Sequence, residues 1–177
     1  MRVIGGEFRS RRLRSIPGAA TRPTPDRLRE TLFDILTRRI QGGTFLDAYA
    51  GTGAVGIEAL SRGASHAYFL ERNRFALDAI RDNLASLALD SRAKVVPGPV
   101  LLTIARHPAD IVFLDPPYDL DREYASVLAL LSESPPPLVV IQHSTRRTLP
   151  DAEGRLRRTR LLKQGDNALS FYEPLEL

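Results

Sequence analysis

"LDAYAGTGAVGIEAL" (residues 46–60) decides how the rest of this chain is read. Gly51, Gly53 and Gly56 fit a G-x-G-x-x-G turn between an apolar strand-like run and an apolar helix-like one. In such a turn the glycines allow a tight bend, close approach of a ligand to the backbone, and close packing of helix on strand. Glu71 stands twenty residues after Gly51, where dinucleotide-binding folds place a ribose-binding acid. None of these features demands a pyrophosphate.

Working outward, strand-like and helix-like patterns alternate from "TFLDAYA" (44–50) to "PLVVIQHS" (137–144), the order of a parallel sheet covered by helices. The strands between are "HAYFLE" (66–71), "AKVV" (93–96) and "ADIVFLD" (109–115). Two more, near "RLRRTRLLKQG" (155–165) and "NALSFYEPLEL" (167–177), follow with no room for a helix between them. The expectation is an α/β, Rossmann-like, mostly parallel seven-stranded sheet with an antiparallel C-terminal strand. A small basic N-terminal hairpin and helix precede it. Residues 1–20 read as a basic arm and 21–177 as one domain, with a leading helix in 21–42 and the Rossmann-like core in 43–177. Thr24 is expected to cap that helix, with Pro25 at its first position.

With 177 residues and a 43% apolar fraction, the chain can form one substantial core. It has no apolar run of membrane-spanning length and no signal-peptide pattern, which places it in the cytoplasm as an expectation. It has no Cys, which excludes thiolate metal sites and Cys nucleophiles. The three His are scattered, so no metal is expected, and no serine elbow motif occurs. Residues 1–40 carry ten Arg against four acidic residues, a net +6 in a chain of net +4. A basic segment built from Arg suits phosphate contacts and base stacking, and so a nucleic-acid partner.

Asp47 separates the candidate ligands. It lies four residues before Gly51, at the end of the first strand, and would set a like charge against a pyrophosphate in a partly desolvated cleft. S-adenosylmethionine, cationic and free of phosphate, turns that carboxylate into an asset. A second constellation, Asp115-Pro116-Pro117-Tyr118, ends the strand "IVFL" at the edge where open α/β sheets bind ligands. The amino group on a nucleobase is a poor nucleophile because its lone pair is delocalised into the ring. The Asp115 carboxylate and the Pro116 carbonyl can accept hydrogen bonds from such a group and orient it. Pro117 fixes the backbone, and Tyr118 offers a face on which a flipped base can stack.

On "RVIGGEFRSRRL" at the start, "TRPTPDRLRETLFDIL" (21–36), "LDAYAGTGAVGIEALSRGA" (46–64), "FLERN" (69–73), "NLASL" (83–87) and "VFLDPPY" (112–118), the chain resembles the bacterial 16S ribosomal RNA guanine-N2 methyltransferases of the RsmD type. The resemblance implies methylation of one guanine of the small ribosomal subunit, with S-adenosylmethionine as cofactor and 16S rRNA as partner. It assigns Asp47, Gly51 and Gly53 to the methionine side of the cofactor, Glu71 to its ribose, and Asp115 to Tyr118 to the target base. Ala50, Thr52, Arg72, Val100 and Thr24 complete the expected cofactor site. Arg9, Arg11, Arg12, Arg22 and Arg27 are the expected RNA contacts. For Arg22, Thr24 and Arg27, a hold on the methionine carboxylate, a hold on an RNA phosphate and a plain helix cap with solvated arginines all stay open. The chain departs from the family at Gly98–Val100, which offers only main-chain and apolar contacts near the adenine, and at Gln142, where many relatives carry Glu. The rival functions are an adenine-N6 methyltransferase and a non-catalytic RNA-binding assembly factor. With no obvious spare apolar surface, a monomer is expected.

Overall fold

A computed structural model describes residues 1–18 and 23–176. The elements run α1 (Asp26–Ile40), β1 (Thr44–Ala48), α2 (Ala54–Ser61), β2 (His66–Glu71), α3 (Arg74–Ser86), β3 (Ala93–Pro97), α4 (Val100–Thr103), β4 (Ile111–Leu114), α5 (Asp121–Glu133), β5 (Leu138–Ser144), β6 (Ala152–Glu153), β7 (Leu156–Gln164) and β8 (Asn167–Pro174). The sheet order is β3-β2-β1-β4-β5-β8-β7-β6. The first five are parallel, and β8, β7 and β6 pair antiparallel. The fold is the expected mostly parallel Rossmann-like sheet, with an eighth strand beyond the seven read from sequence. That strand is β6, two residues folded back on β7 through Gly154, too short to show any alternation.

The period-two pattern of the strands sends neighbouring side chains to opposite faces. Phe45 packs between Phe33 of α1 and Phe113 of β4, with ring centroids 5.9 and 6.5 Å away. The next residue, Leu46, belongs to the other core, with Val112 and with Leu128 of α5. Each such burial contributes about 1.5–3 kcal/mol. Helices α1, α2 and α3 thus cover one face and α4 and α5 the other, which seals a sheet apolar on both sides.

Helix α2 is buried along its whole length, so it must lie close to the sheet. Gly56 permits this, because a Cβ there would run into the Phe69 ring of β2. At α1 the expected cap is corrected. Pro25 occupies the N-cap, the helix starts at Asp26, and no side chain among the described residues caps it. The Thr24 hydroxyl instead donates to Gln142 Oε1 of β5 at 2.9 Å.

The first 18 residues form an irregular hairpin docked on α2 and α3. Arg2 and Arg12 bridge antiparallel, and Val3 and Leu13 are buried in the core. The amides of Ile4 and Gly5 donate to the Glu58 carboxylate of α2 at 2.8 and 2.9 Å, and that of Arg14 donates to Asn83 Oδ1 of α3 at 2.6 Å. Among the described residues no helix is long and apolar enough to cross a membrane.

Candidate active site

Strand order reverses between β1 and β4, and open α/β sheets bind ligands outside the strand ends at such a switch point. A cavity of about 470 Å³ opens there. β1 delivers Asp47, β2 delivers Glu71, and the residues after β4 are Asp115 to Tyr118. All six line the cavity, as do Ala50, Gly51, Thr52, Arg72, Val100 and Thr24. Gly53 lies just behind, and a Cβ there would meet Ile80 and Phe69 at 3.3 Å. Gly51 and Gly53 adopt φ of 58° and 83°, the left-handed conformation that favours glycine. A Cβ on Gly51 would touch nothing and would project into open space, the cradle a ligand needs.

The carboxylates of this cavity have specific duties. Asp47 is 2% exposed, and its Oδ2 accepts the Gly56 amide at 2.9 Å. Burial raises its pKa well above the ordinary value, the Gly56 bond opposes that, and the charges of Asp115 and Glu71 add to it. Glu71 organises the loop: Oε2 accepts the Gly51 amide at 2.8 Å, and Oε1 accepts those of Arg72 and Asn73 at 2.9 Å. An oxygen of a carboxylate can accept two bonds, so Oε2 keeps one for a ligand hydroxyl. Burial pushes Asp115 up to about 7. With Asp119 and Glu123, five carboxylates line the cavity against one Arg, Arg72, among the described residues. Such a site attracts a cation and repels a pyrophosphate.

Contacts from distant parts of the chain hold the Asp115–Tyr118 segment. Tyr124 of α5, 2% exposed, donates to the Pro116 carbonyl at 3.1 Å. That carbonyl keeps its second lone pair for a substrate amine. Arg147, after β5, lies over the Tyr124 ring at 4.1 Å, donates to the Tyr118 carbonyl at 3.1 Å and pairs with Asp121 at 2.5 Å. The Tyr118 hydroxyl donates to Asn167 Oδ1 at 3.0 Å. Sequence reading missed Tyr124 and Arg147, which bear no motif. It also missed Tyr49, which stands at φ 61° in the cavity wall with its hydroxyl donating to Glu123 at 2.7 Å. A bulky residue in that region of backbone space is strained, and such strain gathers at functional sites. A tyrosine two residues before Gly51 was the one available signal.

The basic residues divide. Arg9, Arg11 and Arg12 are exposed on the hairpin, and Arg11 also donates to the Ser86 carbonyl at 3.1 Å. Arg27 is exposed on α1, while Arg22 lies outside the described residues. None of the four described arginines lines the cavity.

A parallel sheet with a switch-point cavity, a glycine turn and two strand-end carboxylates defines a Rossmann-like methyltransferase fold. A family model described as "Conserved hypothetical protein 95" matches residues 1–173, and the chain belongs to that family, the RsmD-type methyltransferases. It is 34% identical over 182 residues to YlbH of Bacillus subtilis, across 98% of both chains. It is 42% identical over 120 residues to ribosomal RNA small subunit methyltransferase D of Escherichia coli, a match covering 67% of this chain and 60% of that protein. The solved structure of yhhF from Escherichia coli superposes with a TM-score of 0.85 at 34% identity, over 98% of this chain and 97% of that one.

Proposed function

We propose that the protein transfers a methyl group from S-adenosylmethionine to the exocyclic N2 amino group of one guanine in the 16S rRNA of the small ribosomal subunit. The observation that carries this reading is a single cavity that joins a cation-attracting carboxylate set to Asp115-Pro116-Pro117-Tyr118. The ribosomal substrate is supported by the enzymes named ribosomal RNA small subunit methyltransferase D in Escherichia coli and Haemophilus influenzae, 42% and 37% identical.

The residues present fit the cofactor. Asp47 would face its cationic methionine end, Gly51 gives it room, the spare lone pair of Glu71 Oε2 would take a ribose hydroxyl, and Val100 offers apolar contact to the adenine. When bound, S-adenosylmethionine supplies an electrophilic methyl group on a cationic sulfur. The chain does the positioning. Tyr118 stacks the flipped base, and the Pro116 carbonyl and Asp115 carboxylate accept the two N2–H bonds, which turns the nitrogen lone pair toward the methyl group. A carboxyl poised near 7 can also take the amine proton once the new N–C bond has formed.

A methyl-transfer assay with labelled cofactor on small subunits lacking the modification tests the reading. Label on N2 of a single mapped guanine is expected, whereas label on an adenine N6, or none, rejects it. Tyr124→Phe removes the bond to the Pro116 carbonyl. It is expected to lower single-turnover methylation about tenfold with cofactor affinity unchanged, and equal rates would refute that positioning role.

The basic hairpin is proposed to engage RNA phosphates as an appendage to the domain that holds the cavity. Reversing the charge of Arg9, Arg11 and Arg12 should weaken RNA binding and flatten its salt dependence by roughly one unit of slope per lost phosphate contact. A slope that stays put would exclude the hairpin from the interface.

A further inference from the structure

Next to Tyr118 lies a second cavity of about 760 Å³, bordered by the residues just before α1, the start of α5, β5, the residues after β5 and the β7–β8 turn. Among the described residues it shares Pro23 and Tyr118 with the first. Tyr118 lines both cavities, so a base stacked on its ring borders both. We infer that the second cavity seats the O6/N7 edge of the target base, and that Arg146 is the residue that selects guanine. The inference rests on the methyltransferase reading above.

The cavity is rich in hydrogen-bond donors. Gln142, 2% exposed, spends its Oε1 on the Thr24 hydroxyl, and Asn167 spends its Oδ1 on that of Tyr118. Both amide NH2 groups are left to donate. Arg146 is exposed on the rim, and its guanidinium has no partner among the described residues, whereas the neighbouring Arg147 is taken by Asp121 and Tyr118. Asp166 stands on the same rim, and its main-chain carbonyl accepts the amide of Thr145, the residue before Arg146. The Asp166 carboxylate in this lining disfavours a phosphate in the cavity and leaves a neutral ligand with strong acceptors as the better fit.

Guanine offers O6 and N7 side by side, the pair that an Arg fork meets with two parallel bonds. Adenine with N6 at Asp115 has N1 on one side of that amine and N7 on the other, and so presents no adjacent pair of acceptors to the same fork. The cavity would then favour guanine after Asp115 and Pro116 have accepted either amine.

The test uses small subunits reconstituted with 16S RNA that carries either guanine or 2-aminopurine at the mapped position. 2-Aminopurine keeps the N2 amine and lacks O6. Single-turnover methylation is measured for the wild type and for Arg146→Ala. The wild type is expected to act on 2-aminopurine at least about tenfold more slowly than on guanine. Arg146→Ala is expected to lose a similar factor on guanine and little more on 2-aminopurine. Equal slowing on both RNAs, or no slowing on either, overturns the assignment of Arg146 and leaves the methyltransferase reading standing. No transfer to either RNA by the wild type overturns both.

Discussion

Asp115→Ala is expected to reduce methyl transfer about 10³-fold while leaving cofactor binding within a few-fold, and the isosteric Asp115→Asn is expected to make the fold more stable above pH 7. The first effect follows from the loss of a preoriented acceptor where charge develops on the attacking amine, a loss worth roughly 10²–10³ in rate. Calorimetric titration with cofactor separates binding from chemistry, and turnover within tenfold of wild type would remove Asp115 from the reaction. The second effect follows from burial, which holds this carboxyl at about 7 in the folded chain against 3.8 for an ordinary aspartate. Between those values the folded chain keeps a proton that the unfolded chain has released. Stability therefore falls as pH rises through that window and stays reduced above it. Asparagine carries no charge, so Asp115→Asn should gain up to about 4 kcal/mol at pH 8 and close to nothing at pH 3. Thermal melts at both values check this, and a variant less stable than wild type at pH 8 would show that burial does not penalise the charge.

The same logic ties the acidic cavity to its ligand. Asp47 and Asp115 are both raised by burial, and Asp47 also feels the charges of Asp115 and Glu71. A cation placed among them relieves the cost of holding these buried carboxylates together. Cofactor binding should accordingly stabilise the fold, because a ligand bound only by the folded state shifts unfolding by mass action.

What the sequence revealed was local. Helix α1 ends at Ile40, before Gln41-Gly42-Gly43, and the glycine turn and the Asp-Pro-Pro-Tyr run carry their chemistry within a few consecutive residues. The alternation of β1 to β5 with helices was legible because buried strands are short apolar runs bounded by breakers. What stayed hidden depends on contacts across the chain. Thr24 is a good capping residue by type, but Gln142, 118 positions away, takes its hydroxyl. Tyr124 holds the Pro116 carbonyl only because α5 packs under the loop, and Arg147 reaches that tyrosine from the far side of β5. Strand β6 is two residues long and has no pattern to read. Arg29 looked like one more member of a basic face, yet its side chain is fully buried.

That buried arginine yields the largest expected loss of stability. Its Nε lies 3.6 Å from Glu58 Oε1, both side chains are 0% exposed, and Glu58 also accepts from Ile4, Gly5 and Arg62. Burial lowers the pKa of Arg29, and the charge of Glu58 is the chief influence holding it up. Glu58→Ala would leave the buried guanidinium only Asp26 and the Arg2 carbonyl as partners, and would strand the two amides that dock the N-terminal hairpin. It should cost about 3–5 kcal/mol in urea unfolding, a large part of the roughly 5–15 kcal/mol that stabilises a typical domain. Asp82→Ala breaks the ion pair with Arg14, whose side chains are 54% and 60% exposed, and should cost under about 1 kcal/mol. Replacing both buried partners by apolar residues, Arg29→Met with Glu58→Leu, should recover part of the loss, since no buried charge is then left alone. If Glu58→Ala unfolds no more easily than Asp82→Ala, the pair does not anchor the hairpin. Because the hairpin carries Arg9, Arg11 and Arg12, Glu58→Ala should also weaken RNA binding at temperatures where the domain remains folded.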